Sequence, residues 1–153
     1  MKSSNETEWP LHVPITEILP ADSPRLDGVD ETHARVLADA ESELPPILVH
    51  RATMRVIDGM HRLRVARLKG QNTVAVRFFE GPEDLVFALA VEANIAHGKP
   101  LSLQDREAAA ARIVREHPEW SDRVIAGTSG LSSKTVGAIR RRAGADLPQV
   151  QAR

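Results

Sequence analysis

The sequence has 153 residues, 42% hydrophobic, 27% charged and only 3% aromatic, with a formal net charge of −1; this is a globular composition of a size for one medium domain or two small ones, and its core must rest on Leu, Ile, Val and Ala. The absence of cysteine excludes disulfides, thiolate catalysis and Cys-ligated zinc. The longest apolar run, Leu85 to Val91, falls far short of the roughly 20 residues of a membrane span, and the polar start from Met1 to Glu6 holds no apolar signal region, so the expectation is a cytoplasmic chain with no membrane partner.

In chain order, residues 1–10 read as a disordered lead-in. His12 to Ile18 predicts a short strand, which Pro14 confines to an edge or an end. Pro20 to Gly28, rich in Pro, Asp and Gly, reads as a loop. Asp30 can cap a helix to about Ser42, with Ala34, Val36, Leu37 and Ala40 on its apolar side. Two β-type runs follow, Ile47 to His50 and Met54 to Ile57, joined at hairpin length by Arg51-Ala52-Thr53. Gly59 ends the second run, Met60 to Lys69 is helical in composition, and Gly70 suits its C-cap. Val74 to Phe79 is a third strand. Pro82 opens a helix to about Ala96, apolar nearly all round at Leu85, Val86, Phe87, Leu89 and Val91, which predicts burial; Gly98 and Pro100 stop it. The rest is helical: Ser102 caps Leu103 to Glu116, with Asp105 and Glu107 near its start, His117-Pro118 breaks the chain, and shorter helices span about Glu119 to Thr128 and Ser133 to Arg142.

The expected fold class is therefore α+β: a small mixed-sheet domain over 11–100, an all-α domain over 101–143, and a patternless tail over 144–153, with the boundary near Lys99 to Ser102.

Asp122 to Arg141 fits a helix-turn-helix frame. Ile125 and the small Ala126 fall at its fourth and fifth places, Gly130 at the ninth, where the turn needs positive φ, and Leu131, Val136 and Ile139 where the second helix is buried against the first. From Gly130 to Arg142 there are Lys134, Arg140, Arg141 and Arg142 and no acid. Ser132 can cap the second helix, and Ser133, Lys134, Gly137, Ala138 and Arg141 would face outward, the small residues permitting close approach to base edges and the cations reaching phosphates or guanines. The DNA-binding candidates are Ser132, Ser133, Lys134, Thr135, Gly137, Ala138 and Arg141. The alternative is a helical hairpin that only packs or dimerises.

The second motif runs Val56-Ile57-Asp58-Gly59-Met60-His61-Arg62-Leu63-Arg64-Val65-Ala66. It sets a Gly turn between strand and helix, where free backbone N–H groups meet the positive end of a helix dipole. Arg62 could hold a phosphate there bidentately. A Gly kept only for geometry is the other reading. No Gly-x-x-x-x-Gly-Lys-Ser/Thr run exists, so the turn is not a P-loop.

This segment resembles the ParB motif G-E-R-R-x-R-A-A, matched at Gly59, Arg62, Arg64 and Ala66. Pro45-Pro46-Ile47-Leu48-Val49 resembles the family's Q-P-I-L-V strand, Ser23-Pro24-Arg25 its Q-P-R segment, and Val91 to His97 its E-N-L-Q-R element. The resemblance covers about residues 11–142, and Asp-Gly-Met-His-Arg with Ala-Asn-Ile-Ala-His is most similar to the streptomycin-regulator type of antibiotic pathway activators. It implies a ParB/sulfiredoxin-like N-terminal domain followed by a helix-turn-helix, acting as a nucleoid-associated transcriptional regulator of a biosynthetic gene cluster, homodimeric on double-stranded DNA. It also implies CTP with magnesium as cofactor, with Gly59, His61, Arg62 and Arg64 holding phosphate and Asn94 near the metal. Where the family has an acid before that Asn this chain has Ala93, and Glu92 is displaced by one residue, about 100° around a helix. The expectation is a protein that is not an enzyme, with slow CTPase-type hydrolysis left open. In the sulfiredoxin branch the place of Met60 is a reactive Cys, so that reductase chemistry is excluded here.

Two other functions stay open: a ParB-type partition clamp, and a nucleotide-dependent small-molecule kinase on the same fold, for which Asp58 and Glu92 are the nearby carboxylates. His12, His33, His50, His61, His97 and His117 show no metal spacing, so no metal built on histidines is expected. Trp120 reads as a core or interdomain anchor.

Overall fold

The computed structural model describes residues 10–26, 32, 35–36, 44–96 and 100–146, with side chains to 144. The chain divides into two compact units, one of Met1–Asp22 and Asp27–Glu83, the other of Ser23–Leu26 and Asp84–Arg153. The division falls at Glu83, ahead of the Lys99–Ser102 boundary read from Gly98 and Pro100, because the helix before Pro100 contributes Phe87, Ala88 and Val91 to the helical core.

The first unit is a four-stranded mixed sheet carrying one described helix. Its strands are β1 (Leu11–Pro14), β2 (Ile47–His50), β3 (Arg55–Asp58) and β4 (Thr73–Phe79), and α1 (Met60–Leu68) lies between β3 and β4 in the chain. The spatial order is β1-β4-β2-β3, with β1 antiparallel to β4, β2 parallel to β4, and β2 antiparallel to β3. Pro14, which has no N–H to give a ladder, ends an edge strand as expected. That strand is shorter than His12–Ile18, because Ile15–Glu17 turns into a 3-10 helix. Along β4 the period of two is plain: Val74 and Val76 are buried, Thr73 and Arg77 exposed. The inward residues pack with Ile47, Val49 and Val56 against Leu63 and Ala66 of α1. Thr32, Arg35 and Val36 are helical, and the remainder of the helix expected from Asp30 to Ser42 lies outside the described residues, as do residues 1–9 of the lead-in.

The β2–β3 hairpin holds the one non-glycine residue with positive φ among those described, Met54 at 59°. This is why β3 starts at Arg55 instead of Met54. The Met54 N–H closes the turn on His50 O at 2.8 Å. His50 is only 2% exposed. Its Nε2 faces the Gly81 carbonyl at 2.9 Å and its Nδ1 the Thr53 hydroxyl at 2.9 Å. A carbonyl can only accept, so Nε2 carries a proton. His50 is thus a core fastener.

The second unit consists of α2 (Val86–Ala96), α3 (Leu103–Glu116), α4 (Asp122–Ser129) and α5 (Ser133–Asp146). Ala109, Ala110, Ile113, Val114, Ile125, Val136, Ile139 and Ala143 form its core. The spacing of the α5 members, at i, i+3 and i+7, is one helical face, and α5 runs four residues beyond the predicted end at Arg142. Ser102 and Asp105 cap α3 reciprocally. The Leu26 N–H donates to Asp105 Oδ1 at 3.2 Å, so the Ser23-Pro24-Arg25 segment is tied to the start of α3. Burial pushes the Asp105 carboxyl up, but hydrogen bonds from Leu26 and Ser102 and the charge of Arg25 outweigh it and leave it below its ordinary value. Trp120 packs on the same core and stacks on His117 at 4.1 Å between ring centroids; the buried His117 reaches the Asp84 carbonyl through Nε2 at 2.8 Å. No described helix is long and apolar enough to cross a membrane.

Candidate nucleic-acid interface and anion turn

Sequence and geometry meet most closely at α4 and α5. Ser121 caps α4, accepting from the Val124 N–H at 3.2 Å. Gly130 ends the helix in the left-handed region at φ 68°, ψ 27°, where a side chain is strained. The Leu131 N–H returns to Ala126 O at 3.1 Å, closing the helix end in Schellman fashion. A Cβ at Gly130 would also stand 2.9 Å from Ile95 Cδ1. Ser132 then caps α5 as expected, accepting from the Thr135 N–H at 3.1 Å. Val136 and Ile139 are buried, while Ser132, Ser133, Lys134 and Arg141 are exposed and Thr135, Gly137 and Ala138 half-buried. The expected outward set therefore shares one surface of α5.

The arginine run divides. Arg141 and Arg142 are exposed. Arg140 turns back: its Nε donates to Asp122 Oδ1 at 2.7 Å, Nη1 to Pro118 O at 3.1 Å and Nη2 to Trp120 O at 2.6 Å. It fastens α5 to the chain entering α4 and is not part of the outward set. Arg106 of α3 does similar work, donating from Nη1 to Gly130 O at 2.9 Å. The sequence showed the charge of both residues but not their acceptors, which are backbone carbonyls and, for Arg140, also the Asp122 carboxylate, brought near by the fold.

The second motif lies in the sheet unit. Gly59 takes φ 111° at the start of α1, and a Cβ there would stand 2.6 Å from Ile47 Cγ2; the glycine has a geometric cause whatever binds beside it. Arg62 donates from Nη1 to Pro45 O at 3.1 Å and Pro46 O at 2.7 Å, and from Nη2 to Asp58 Oδ2 at 3.1 Å. These bonds use three of the five guanidinium N–H donors and fix its plane. They also pair Asp58, one of the two candidates for the carboxylate a kinase would need, with a cation. His61 and Arg64 are half-buried in the same first two turns of α1.

No protein-family model matches the chain. Among curated proteins it is 52% identical over 141 residues to the protein named "Streptomycin biosynthesis operon possible regulatory protein" of Streptomyces griseus, covering 92% of this chain and 40% of that protein. It is 50% identical over 128 residues to "Transcriptional regulator NovG" of Streptomyces niveus, covering 84% of this chain and 40% of that one. Among solved structures it resembles the C-terminally truncated chromosome-partitioning protein ParB of Caulobacter crescentus complexed to the parS site, with a TM-score of 0.61 at 23% identity over 91% of this chain and 73% of that one. The same ParB complexed with CTP-gamma-S gives a TM-score of 0.50 at 23% identity over 91% and 79%, and a Pnob8-like ParB-N domain 0.59 at 15% over 91% and 69%. The chain is ParB-like in fold and a relative of these regulators. It spans 40% of the length of both curated relatives.

In this ParB-like chain Asn94, expected near a metal, belongs to the helical unit, and its Nδ2 donates to Ala90 O of its own helix at 2.7 Å. Ala93 stands beside it, and Glu92 is exposed. Among the described residues no group of three His, Asp or Glu side chains is placed to share a metal ion.

Proposed function

We propose that this chain is the DNA-binding part of a transcriptional regulator, with Ser132, Ser133, Lys134, Thr135, Gly137, Ala138 and Arg141 of the second helix meeting double-stranded DNA as a homodimer. The observation that carries this reading is the pairing of a helix-turn-helix turn, closed at Gly130 with φ 68°, with a stretch from Gly130 to Arg142 that exposes Lys134, Arg141 and Arg142 and holds no acid of its own. Ser132 and Ser133 hydroxyls suit phosphates, Lys134 and Arg141 suit phosphates or guanine edges, and Ala138 leaves room for a thymine methyl. The names of its relatives in Streptomyces favour control of an antibiotic biosynthetic cluster. Selection of duplexes from a random pool tests the reading: a recovered motif whose binding weakens with salt, and weakens again in Lys134→Ala or Arg141→Ala, is expected. No recovered motif, with both variants binding like the parent, would refute it.

The Gly59 turn is read as an anion site for a nucleoside triphosphate such as CTP with magnesium. The residues fit a phosphate: the first amides of α1 sit at the positive end of a helix, Arg62 is held rigid by three protein bonds with two donors remaining, and His61 and Arg64 follow on the same helix. Arg62 would orient the group, Arg64 would add charge and His61 a hydrogen bond. The role is binding with slow or no turnover, because Ala93 offers no carboxylate to place a metal. Calorimetry with the four ribonucleoside triphosphates, with and without magnesium, should give heat with at least one of them, abolished by Arg64→Ala; no heat with any would remove this part of the proposal and leave the DNA reading standing.

A further inference from the structure

Asp122 and Gly137 face each other across the two helices of the motif, and neither has a role in the frame that singles out Ala126 and Gly130. Asp122 opens α4. Its Oδ1 accepts from Arg140 Nε at 2.7 Å. Its Oδ2 lies 3.2 Å from the point where a Cβ of Gly137 would stand, and Arg141 Nη1 lies 3.6 Å from that same point. The carboxylate and the second guanidinium thus flank a notch that exists only because residue 137 has no side chain. Helical side chains lean toward the N-terminus, over the residue four places back, so Arg141 naturally lies over position 137. A Cβ there would press on Asp122 Oδ2 at 3.2 Å, which must give by a few tenths of an ångström, and would stand in ordinary contact with Arg141 Nη1 at 3.6 Å.

We propose that Asp122 and Gly137 are positioning residues for Arg141. The carboxylate anchors Arg140 with one oxygen and leaves the other beside the open face of Gly137, where its charge, without a direct ion pair, favours the Arg141 guanidinium lying over position 137, so that the exposed side chain reaches DNA from one direction. This rests on the DNA-reading proposed above and adds that discrimination between sequences, not gross affinity, depends on the pair. A side chain held in one orientation before binding loses less freedom on meeting a base edge.

The electrostatic sign makes the proposal separable from a bulk-charge effect. Removing a negative charge beside a DNA surface should strengthen binding to any duplex. Asp122→Asn is nevertheless expected to lower the ratio of operator to random-duplex affinity by about tenfold, the loss of one well-made base contact, while random-duplex binding holds or rises. Gly137→Ala keeps every charge, and alanine favours a helix over glycine, so its melting temperature should hold or rise while the same ratio falls. If both variants keep the parent's ratio, the proposal is wrong. A second measurement needs no DNA: relaxation of the Arg141 Nε–H signal in the free protein should show a restrained side chain in the parent and a mobile one in both variants. An Arg141 as mobile in the parent as in Gly137→Ala overturns the positioning role even where the DNA reading holds; a restrained Arg141 with no operator recovered would sink the DNA reading alone.

Discussion

The two basic motifs of the chain look alike in sequence, each a glycine followed by a cationic helix, and the structure uses their cations in a common way. In the helix-turn-helix Arg140 is spent on Asp122, Pro118 and Trp120, and in the Gly59 turn Arg62 is spent on Asp58, Pro45 and Pro46. Each motif thus has one arginine that fastens the turn. They differ in what the fastener leaves over. Arg140 stands next to an exposed neighbour, Arg141, whereas His61 and Arg64, which flank Arg62 in the first two turns of its helix, are half-buried. An arginine in a motif is a reader only if nearby carbonyls and carboxylates have not already claimed it, and a charge run cannot show which member that is.

The sharpest way to break this comparison is at the turns. Gly130→Val should destabilise the helical unit by about 1–3 kcal/mol from the left-handed backbone alone, and more from the approach to Ile95 Cδ1 at 2.9 Å; an unchanged melting temperature would show that the turn is not closed as described. Next come the fasteners. Arg140→Ala and Arg62→Ala should each cost about 1–3 kcal/mol in chemical denaturation, toward the lower end for Arg140, whose ion pair with Asp122 is partly exposed. If Arg62→Ala left stability untouched, its contacts with Pro45 and Pro46 would not be fastening the turn. The smallest effect is at Asp105. Its folded-state carboxyl lies below the ordinary value, so the stability it gives is present above the unfolded pKa, near 4, and is lost as pH falls through the folded one. In thermal melts the gap between the parent and Asp105→Asn should be open at pH 6 and close below about pH 4; a gap that widens on acidification would reverse the sign.

Much of this was legible in the sequence because it depends on local rules. Period-two burial marked β4, Pro14 marked an edge, Ser102 and Ser132 marked helix starts, and Gly130 marked a left-handed turn. What escaped was set by tertiary contact. Nothing local says that Arg140 and Arg106 end on backbone carbonyls, or that Gly137, read as small so that bases can come close, also clears space for Asp122 at 3.2 Å. The expected end of this helix near Ala96 agrees with its bounds, yet the stop signals say nothing of which core the helix joins, and α2 joins the one after it in the chain. Met54 escaped for a related reason: a methionine carries no signal for positive φ, and its conformation is set by the hairpin and by the Leu19 N–H that donates to its carbonyl at 2.8 Å.

The central claim is that the surface of α5 from Ser132 to Arg141 meets duplex DNA. Amide and side-chain shift mapping by NMR during titration with a selected duplex tests it directly. The largest perturbations are expected on Ser132 to Ala138 and on Arg141, with Arg140 little changed because its guanidinium is already engaged. Perturbations centred on the sheet unit, or none along α5 at saturating DNA, would contradict it.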